Sequence, residues 1–227
     1  MKAKLTWLLL LVLIVALGYG TLTAQNIPAG LGSVGGQVVD AHTGEPIAKA
    51  TVIAEPDDIP AAGKLVNTLT DDSGRFLLYL APGPYVIAGS KEQDLYPNTD
   101  HAAFATELDS LPKVIVREGR PVRDVILRFE KGARLNGSIL SAQTHEPVIT
   151  SRILLTRADN TRLWISTGPD SYGRFAIVVP ARPFKLQVTA PGYRPWVFKQ
   201  VNLNGESEVL RLSPESTKEV LIQLDPQ

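Results

Sequence analysis

Residues 36–54 read GQVVDAHTGEPIAKATVIA, and residues 137–155 read GSILSAQTHEPVITSRILL. The two stretches align at an offset of 101, which pairs Gly36 with Gly137 and Pro46 with Pro147. DDSGRFLLYL at 71–80 then matches DSYGRFAIVV at 170–179 at an offset of 99, and DVILRF at 124–129 matches EVLIQL at 219–224 at an offset of 95. Similar segments in a fixed order, with small changes of offset, are what loop-length changes between two copies of one domain produce. The sequence therefore predicts a duplicated domain with its boundary near residues 130–132.

Each copy has the pattern of short β-strands. Runs rich in valine, isoleucine and aromatic residues are separated by glycine, proline and aspartate. Phe76, Leu78 and Leu80 alternate with more polar neighbours, and the same alternation recurs at 175–179, which is typical of a strand with one buried face. We therefore expect an all-β fold of two tandem antiparallel β-sandwich domains.

The motif Asp-x-x-Gly-Arg-Phe, which begins at Asp71 and again at Asp170, could be read as a binding site or as a turn. Aspartate favours the first position of a turn, and a glycine three residues later supplies a positive φ, so the motif predicts a hairpin turn. A calcium loop is the alternative. It is disfavoured because Ser171 stands where the first copy has Asp72, and no carboxylate follows at the spacing that calcium loops use.

The first residues have the layout of a secretory signal peptide. Lys2 and Lys4 precede an apolar run at 5–17, and small residues follow up to Ala24. The run is shorter than the roughly 20 residues that a membrane-spanning helix needs. We expect cleavage after Ala24, with an uncleaved anchor as the alternative. The chain then divides into a signal peptide (1–24), a linker (25–33) and two domains (34–130 and 131–227), with no membrane span after cleavage, in a secreted, periplasmic or cell-surface protein.

Composition excludes several classes of function. The 23 basic and 23 acidic residues balance, so nucleic acid is not an expected partner. The absence of cysteine excludes disulfides, thiol catalysis and iron–sulfur clusters. His42 and His145 do not align between the copies, so we expect them in exposed turns. His101 lies in a polar loop, where a carboxylate-assisted base is the alternative to a solvated side chain. We predict no enzyme activity, no catalytic or metal-binding residues and no cofactor.

Taken together, the motif G-x-V-x-D-x-x-T-G-E-P-I-x-x-A-x-V at 36–52, the segment 71–80 and the APGPY at 81–85 resemble the carboxypeptidase regulatory-like domain. This resemblance implies a transthyretin-like (prealbumin-like) β-sandwich that is also close to the Cna-B repeats of bacterial surface proteins. It further implies a non-catalytic module with a carbohydrate-binding-like fold. The second copy departs from the pattern at His145, where the first has Gly44.

Charge is unevenly divided between the copies. Residues 25–130 carry 9 basic and 15 acidic groups, a net charge of −6, and residues 131–227 carry 12 and 8, a net charge of +4. This is either an ordinary surface imbalance or a sign of electrostatic contact: between the two modules, head-to-tail between molecules, or with an anionic partner.

The second copy also holds the candidate ligand-binding residues, which are Trp164, Tyr193, Arg194 and Trp196. Flat aromatic faces next to polar groups suit sugars, whose C–H faces are apolar and whose edges carry hydroxyls. The alternative is that Tyr193 and Trp196 pack over an edge of the sandwich. The sequence thus favours an exported, non-catalytic interaction protein that contacts a glycan or a cell-envelope protein. The alternatives are a small-molecule carrier with a transthyretin-like oligomer interface, or an accessory subunit of an envelope transporter or secreted hydrolase.

Overall fold

The computed structural model describes residues 26–57, 65–98, 111–158, 163–199 and 208–227. Within these ranges the chain forms β-strands and one 3-10 turn (Glu92–Asp94), and no α-helix. The predicted signal peptide and His101 lie outside the described residues. The strands of the first module are β1 (Gly32–Asp40), β2 (Thr51–Pro56), β3 (Val66–Leu69), β4 (Arg75–Leu80), β5 (Gly83–Ser90), β6 (Lys113–Val116) and β7 (Pro121–Phe129). Those of the second module are β8 (Gly132–Ser141), β9 (Arg152–Arg157), β10 (Leu163–Thr167), β11 (Arg174–Pro180), β12 (Phe184–Thr189), β13 (Trp196–Val197) and β14 (Thr217–Leu224).

Each module contains one three-stranded and one four-stranded sheet. Their strand orders are β4-β1-β7 and β3-β2-β5-β6 in the first module, and β11-β8-β14 and β10-β9-β12-β13 in the second. The prediction of an all-β chain with two tandem sandwiches is confirmed. One detail differs from the expected antiparallel pairing: β1 pairs with β7, and β8 with β14, in parallel. A parallel pair needs a long crossover, and the intervening strands of each module supply it.

The strand alternation read from the sequence also holds. Phe76, Leu78 and Leu80 are buried on β4, and together with side chains of the facing sheet they form the core of the first module. The second module has a separate core, with Phe175 and Val179 of β11 among its buried members. β1 begins at Gly32, inside the segment assigned to a linker, because Gly32 pairs with Leu80 on β4.

The repeated glycine at the centre of β1 and β8 is required by close packing. A Cβ on Gly36 would overlap the carbonyl oxygen of Val125 on β7 and would lie 2.9 Å from the Phe76 ring. A Cβ on Gly137 would lie 2.5 Å from the carbonyl oxygen of Val220 and 2.6 Å from the Phe175 ring. The first strand of each module therefore lacks a side chain at the point where its parallel partner and a phenylalanine ring both approach it.

The Asp-x-x-Gly-Arg-Phe motif forms the predicted turn in both modules. One carboxylate oxygen of Asp71 accepts hydrogen bonds from the backbone N–H groups two and four residues ahead, both at 2.9 Å. Asp170 repeats this arrangement at 2.9 and 2.8 Å. The N–H donor four residues ahead is the main reason that the pKa of each aspartate is lowered. Gly74 and Gly173 have φ of +72° and +75°.

A second turn follows β1 and β8. Gly44 has a φ of +75°, and His145, which stands at the same place in the second module, has a φ of +61°. This backbone conformation is uncommon for residues other than glycine but is tolerated by histidine. Both His42 and His145 are exposed in these turns, as the sequence predicts.

One buried hydroxyl is supplied from different positions in the two modules. The Thr70 hydroxyl donates to the carbonyl oxygen of Ile47 at 2.7 Å and accepts from the N–H of Ala50 at 2.8 Å. In the second module, Ser151 donates to the carbonyl oxygen of Val148 at 2.7 Å. In both modules, therefore, a buried hydroxyl donates to the backbone carbonyl oxygen at the same position, Ile47 or Val148, although the donor residues do not align.

Replacing Gly74 with valine should destabilise the first module by about 1–3 kcal/mol, because the new Cβ adds a steric clash to the strain of a positive φ. That Cβ would lie 2.7 Å from the carbonyl oxygen of Val38 and 2.9 Å from the Cβ of Pro46. Gly44→Val is the matched control, since it has a similar φ and no atom within 4 Å of the added Cβ. Urea denaturation of both variants measures the difference. An equal loss of stability in the two would show that the close contact at Gly74 contributes nothing.

Candidate functional site

The aromatic segment, residues 192–199, follows β12 and runs along the edge of the four-stranded sheet of the second module. Its strand β13 pairs Trp196 with Val188. Before that strand, the N–H of Arg194 donates to the carbonyl oxygen of Asp225 at 2.9 Å, and Tyr193 bridges to Pro226. Main-chain contacts on both sides therefore fix the course of this segment.

Three aromatic side chains of this segment are half-buried. Tyr193, Trp196 and Phe198 all pack against the core of the second module. The rings of Trp196 and Phe198 meet edge to face, with centroids 6.3 Å apart. Arg194 is exposed beside them, and the Lys199 ammonium lies 5.8 Å from the Phe198 ring centroid. Each ring thus has one side against the core and leaves part of its surface to solvent.

Trp164 does not join this group. It lies on β10, at the opposite edge of the sheet from β13, with β9 and β12 between them. Three strand spacings place the two edges roughly 14 Å apart. The structure therefore brings together Tyr193, Arg194 and Trp196 of the predicted set and leaves Trp164 apart, because proximity in sequence does not reveal strand order.

A buried carboxylate–tyrosine pair lies at the end of β1. Asp40 is 7% exposed, and one of its oxygens accepts hydrogen bonds from the N–H groups of Thr43 and His42, both at 2.8 Å. The other oxygen accepts from the Tyr96 hydroxyl at 2.8 Å. The Thr43 N–H, together with the Tyr96 hydroxyl, lowers the pKa of Asp40, although burial opposes the change. Burial and the neighbouring carboxylate raise the pKa of Tyr96.

Tyr96 also contacts the connection to the second module. The Lys131 ammonium lies 4.6 Å from the Tyr96 ring centroid, 2.7 Å from the carbonyl oxygen of Asp94 and 3.4 Å from the Glu215 carboxylate. The N–H of Gly132 donates to the carbonyl oxygen of Leu95 at 2.7 Å. We call residues 91–97, 130–132 and 213–216 the joint, because these segments link the two modules.

Asp40 and the joint that it contacts through Tyr96 contain the kinds of side chain that catalytic sites use, but their geometry is that of a structural cluster. Both oxygens of Asp40 are occupied by donors, and Tyr96 is only 6% exposed. Lys131 is paired with Glu215. No group of three or more histidine, cysteine, aspartate or glutamate side chains within the described ranges could hold a metal ion. This cluster could not be predicted from the sequence, since Asp40 and Tyr96 lie 56 positions apart with no motif that links them.

A shallow groove of about 1040 Å³ lies on the outer face of the sheet β4-β1-β7. Its lining includes Gly35 and Gln37 of β1, Leu77 of β4 and Ile126 of β7, and it reaches Thr68 and Leu69 of β3 in the other sheet. The groove could not be predicted from the sequence, because alternation identifies inward-facing residues and says little about the outer face.

Comparison with known proteins supports the family resemblance for the first module. Residues 33–93 match the family model described as the carboxypeptidase regulatory-like domain, as the sequence motifs predict. This match runs from β1 to the 3-10 turn. No curated protein matches the chain. Within the described residues, no helix is long and apolar enough to cross a membrane.

Among solved structures, the Bacillus anthracis TIE protein is 14% identical, with a TM-score of 0.35, and the match covers 87% of this chain and 34% of that one. A Streptococcal ancillary pilin is 12% identical, with a TM-score of 0.35, over 87% of this chain and 63% of that chain. GBS52, the minor pilin of Streptococcus agalactiae, is 11% identical, with a TM-score of 0.35, over 86% and 96%. The chain thus spans about a third of the length of the first protein and under two thirds of the second.

Tyr96→Phe should lower the free energy of unfolding by about 1–2 kcal/mol at neutral pH, because it removes a hydrogen bond to a buried charge. Tyr172→Phe, at a tyrosine that is 66% exposed, is the control and should have no effect.

The pKa of Asp40 in the folded protein is below its ordinary value of 3.8. The contribution of the Asp40 carboxylate to the stability of the fold is therefore complete above that pH and is lost as the pH falls. The difference between the parent protein and Tyr96→Phe should therefore shrink in acid, as measured by denaturation across pH. A difference that grows in acid would contradict this assignment.

Proposed function

We propose that the protein is an exported, non-catalytic binding protein that contacts a glycan through its aromatic segment. The observation that carries this proposal is the half-exposed pair Tyr193 and Trp196 beside the exposed Arg194, at an edge of the second sandwich. The match of residues 33–93 to a carboxypeptidase regulatory-like domain supports a module that binds rather than reacts.

The chemistry of the segment suits a sugar ring. An indole or phenol face stacks on the apolar C–H face of a pyranose, and a guanidinium donates hydrogen bonds to hydroxyl or carboxylate groups at the ring edge. Main-chain contacts hold the segment before a ligand arrives, so little conformational entropy is lost on binding. The net charge of +4 on residues 131–227 favours an anionic glycan over a neutral one.

Export is part of the proposal, and it predicts the start of the mature protein. Residues 1–24 should be removed on secretion, which leaves Gln25 as the first residue. N-terminal sequencing of protein recovered from the periplasm or the medium measures this directly. Recovery of Met1 on exported material would show instead that the apolar run is kept as an anchor.

Arg194→Ala should weaken binding to insoluble acidic polysaccharide by about tenfold or more while leaving the melting temperature unchanged, since the charge-assisted hydrogen bonds of an exposed arginine serve only the ligand. Trp196→Ala should weaken binding and also destabilise the second module by about 1–3 kcal/mol, because the ring is half-buried against the core.

Arg128→Ala is the matched control for the arginine. It removes the same charge from an exposed position in the first module and should leave binding intact. Pull-down and thermal melting are measured on the same samples. Two results would contradict the glycan proposal: loss of binding only in variants that have lost stability, or a parent protein that binds no polysaccharide. A cell-envelope protein would then be the partner to test.

A further inference from the structure

The connection between the two modules consists of two residues, and both have partners. β7 ends at Phe129 and β8 begins at Gly132, so only Glu130 and Lys131 lie between them. The Glu130 carboxylate lies 3.2 Å from the Arg182 guanidinium, which belongs to the turn between β11 and β12. This ion pair is exposed and contributes little by itself. It shows, however, that the first residue after β7 already contacts the second module.

Lys131 contacts both modules at once. Its ammonium donates to the carbonyl oxygen of Asp94 at 2.7 Å and lies 4.6 Å from the Tyr96 ring centroid, both in the first module. It also lies 3.4 Å from the Glu215 carboxylate, in the second module. The Tyr96 ring is itself held, because its hydroxyl donates to the buried Asp40 carboxylate at 2.8 Å. One side chain, 30% exposed, therefore connects a buried pair of the first module to a turn of the second.

The backbone of Gly132 is bonded to both modules. Its N–H donates to the carbonyl oxygen of Leu95 in the first module, and its carbonyl oxygen accepts from the N–H of Glu215 in the second, both at 2.7 Å. A Cβ on Gly132 would lie 2.2 Å from the carbonyl oxygen of Val179 and 3.2 Å from the Cδ of Pro97, so both modules also pack closely against it. A large change in the angle between the modules would break one of these bonds or this packing.

The same backbone contact recurs at the end of the second module. The N–H of Gln227 donates to the carbonyl oxygen of Gly192 at 3.0 Å, as that of Gly132 donates to Leu95. The two acceptors correspond, since Leu95 and Gly192 have φ of +64° and +78° and each directly precedes a tyrosine. In the described part of the chain no third module meets Gln227, and the bond forms nonetheless. The course of the chain after the last strand is therefore set by the module that it leaves.

We propose that the joint holds the two modules in one fixed orientation, with Lys131 as the side chain that locks it, so that the protein acts as a rigid spacer. Modules joined by a short linker ordinarily move relative to each other unless specific contacts prevent it. Here the chain enters each module at one end and leaves it at the other, because the first and last strands are parallel. The joint thus keeps the start of β1 and the aromatic segment at a constant separation. The proposal goes beyond glycan binding and does not depend on it.

Distances between two spin labels, one on each module, test the proposal. The chain has no cysteine, so labels attach only at the introduced thiols, Asn67→Cys on β3 and Gln223→Cys on β14, both at exposed positions. We expect one narrow distance distribution from double electron–electron resonance. Lys131→Ala should broaden it about twofold or more, because the modules then move relative to each other. Lys113→Ala is the matched control, since it removes a lysine from an ion pair inside the first module, with Asp57 at 3.5 Å.

Amide hydrogen exchange separates opening of the joint from unfolding of a module. Lys131→Ala should speed exchange of the Gly132 amide about tenfold or more, because local opening no longer has to break the lysine contacts. The Gln227 amide makes the same bond without Lys131 and should be unchanged. Glu215→Gln provides a second variant that removes only the ion pair to Lys131 at an exposed side chain, and it should broaden the distance distribution less than Lys131→Ala does.

Three outcomes would overturn the proposal. The first is a broad distance distribution in the parent protein, which would show that the modules move freely. The second is equal broadening by Lys113→Ala and Lys131→Ala. The third is an unchanged distribution and unchanged Gly132 exchange in Lys131→Ala, which would show that this side chain does not lock the joint. None of these measurements uses a polysaccharide, so their failure is distinct from failure of the glycan proposal.

Discussion

At the centre of each module, a carbonyl oxygen from the last strand and a phenylalanine ring approach the space that a Cβ of the first strand would occupy. Gly36 and Gly137 leave that space empty, and the parallel pairs β1–β7 and β8–β14 form around them. The rest of the fold depends on this close contact between the first strand, the last strand and the phenylalanine ring. It sets the register of the last strand, positions the phenylalanine in the core, and directs alternate residues of the last strand outward.

Features set by neighbouring residues could be predicted from the sequence, whereas those set by distant partners could not. The turns at Asp71 and Asp170 need only a carboxylate, two N–H groups and a glycine within a few positions, so the motif specifies them. Parallel closure of each sandwich and the separation of Trp164 from Trp196 depend on strand order, which periodicity does not encode. The buried hydroxyl donor of the first module is Thr70, and that of the second module is Ser151. The sequence does not predict this correspondence, because the two residues do not align.

The two modules share the same strand arrangement but differ in the contacts that each makes outside its own core. Asp40 of the first module is held by Tyr96, which also contacts the connection to the second module through Lys131. The equivalent position in the second module is Ser141, whose hydroxyl oxygen accepts hydrogen bonds from the N–H groups of Gln143 and Thr144 in the local turn. The second module instead carries a half-exposed aromatic segment against its own last residues. The two modules therefore differ most at the connection in the first and at the aromatic segment in the second.

The parallel pairing of first and last strands also determines how the protein responds to mechanical force. Because β1 and β7 run in the same direction side by side, the chain enters each sandwich at one end and leaves it at the other. Tension along the chain therefore pulls the two strands past each other, so that the hydrogen bonds between them bear the load together and do not open one at a time. Two such modules in series should therefore resist stretching better than hairpin-closed domains of the same stability.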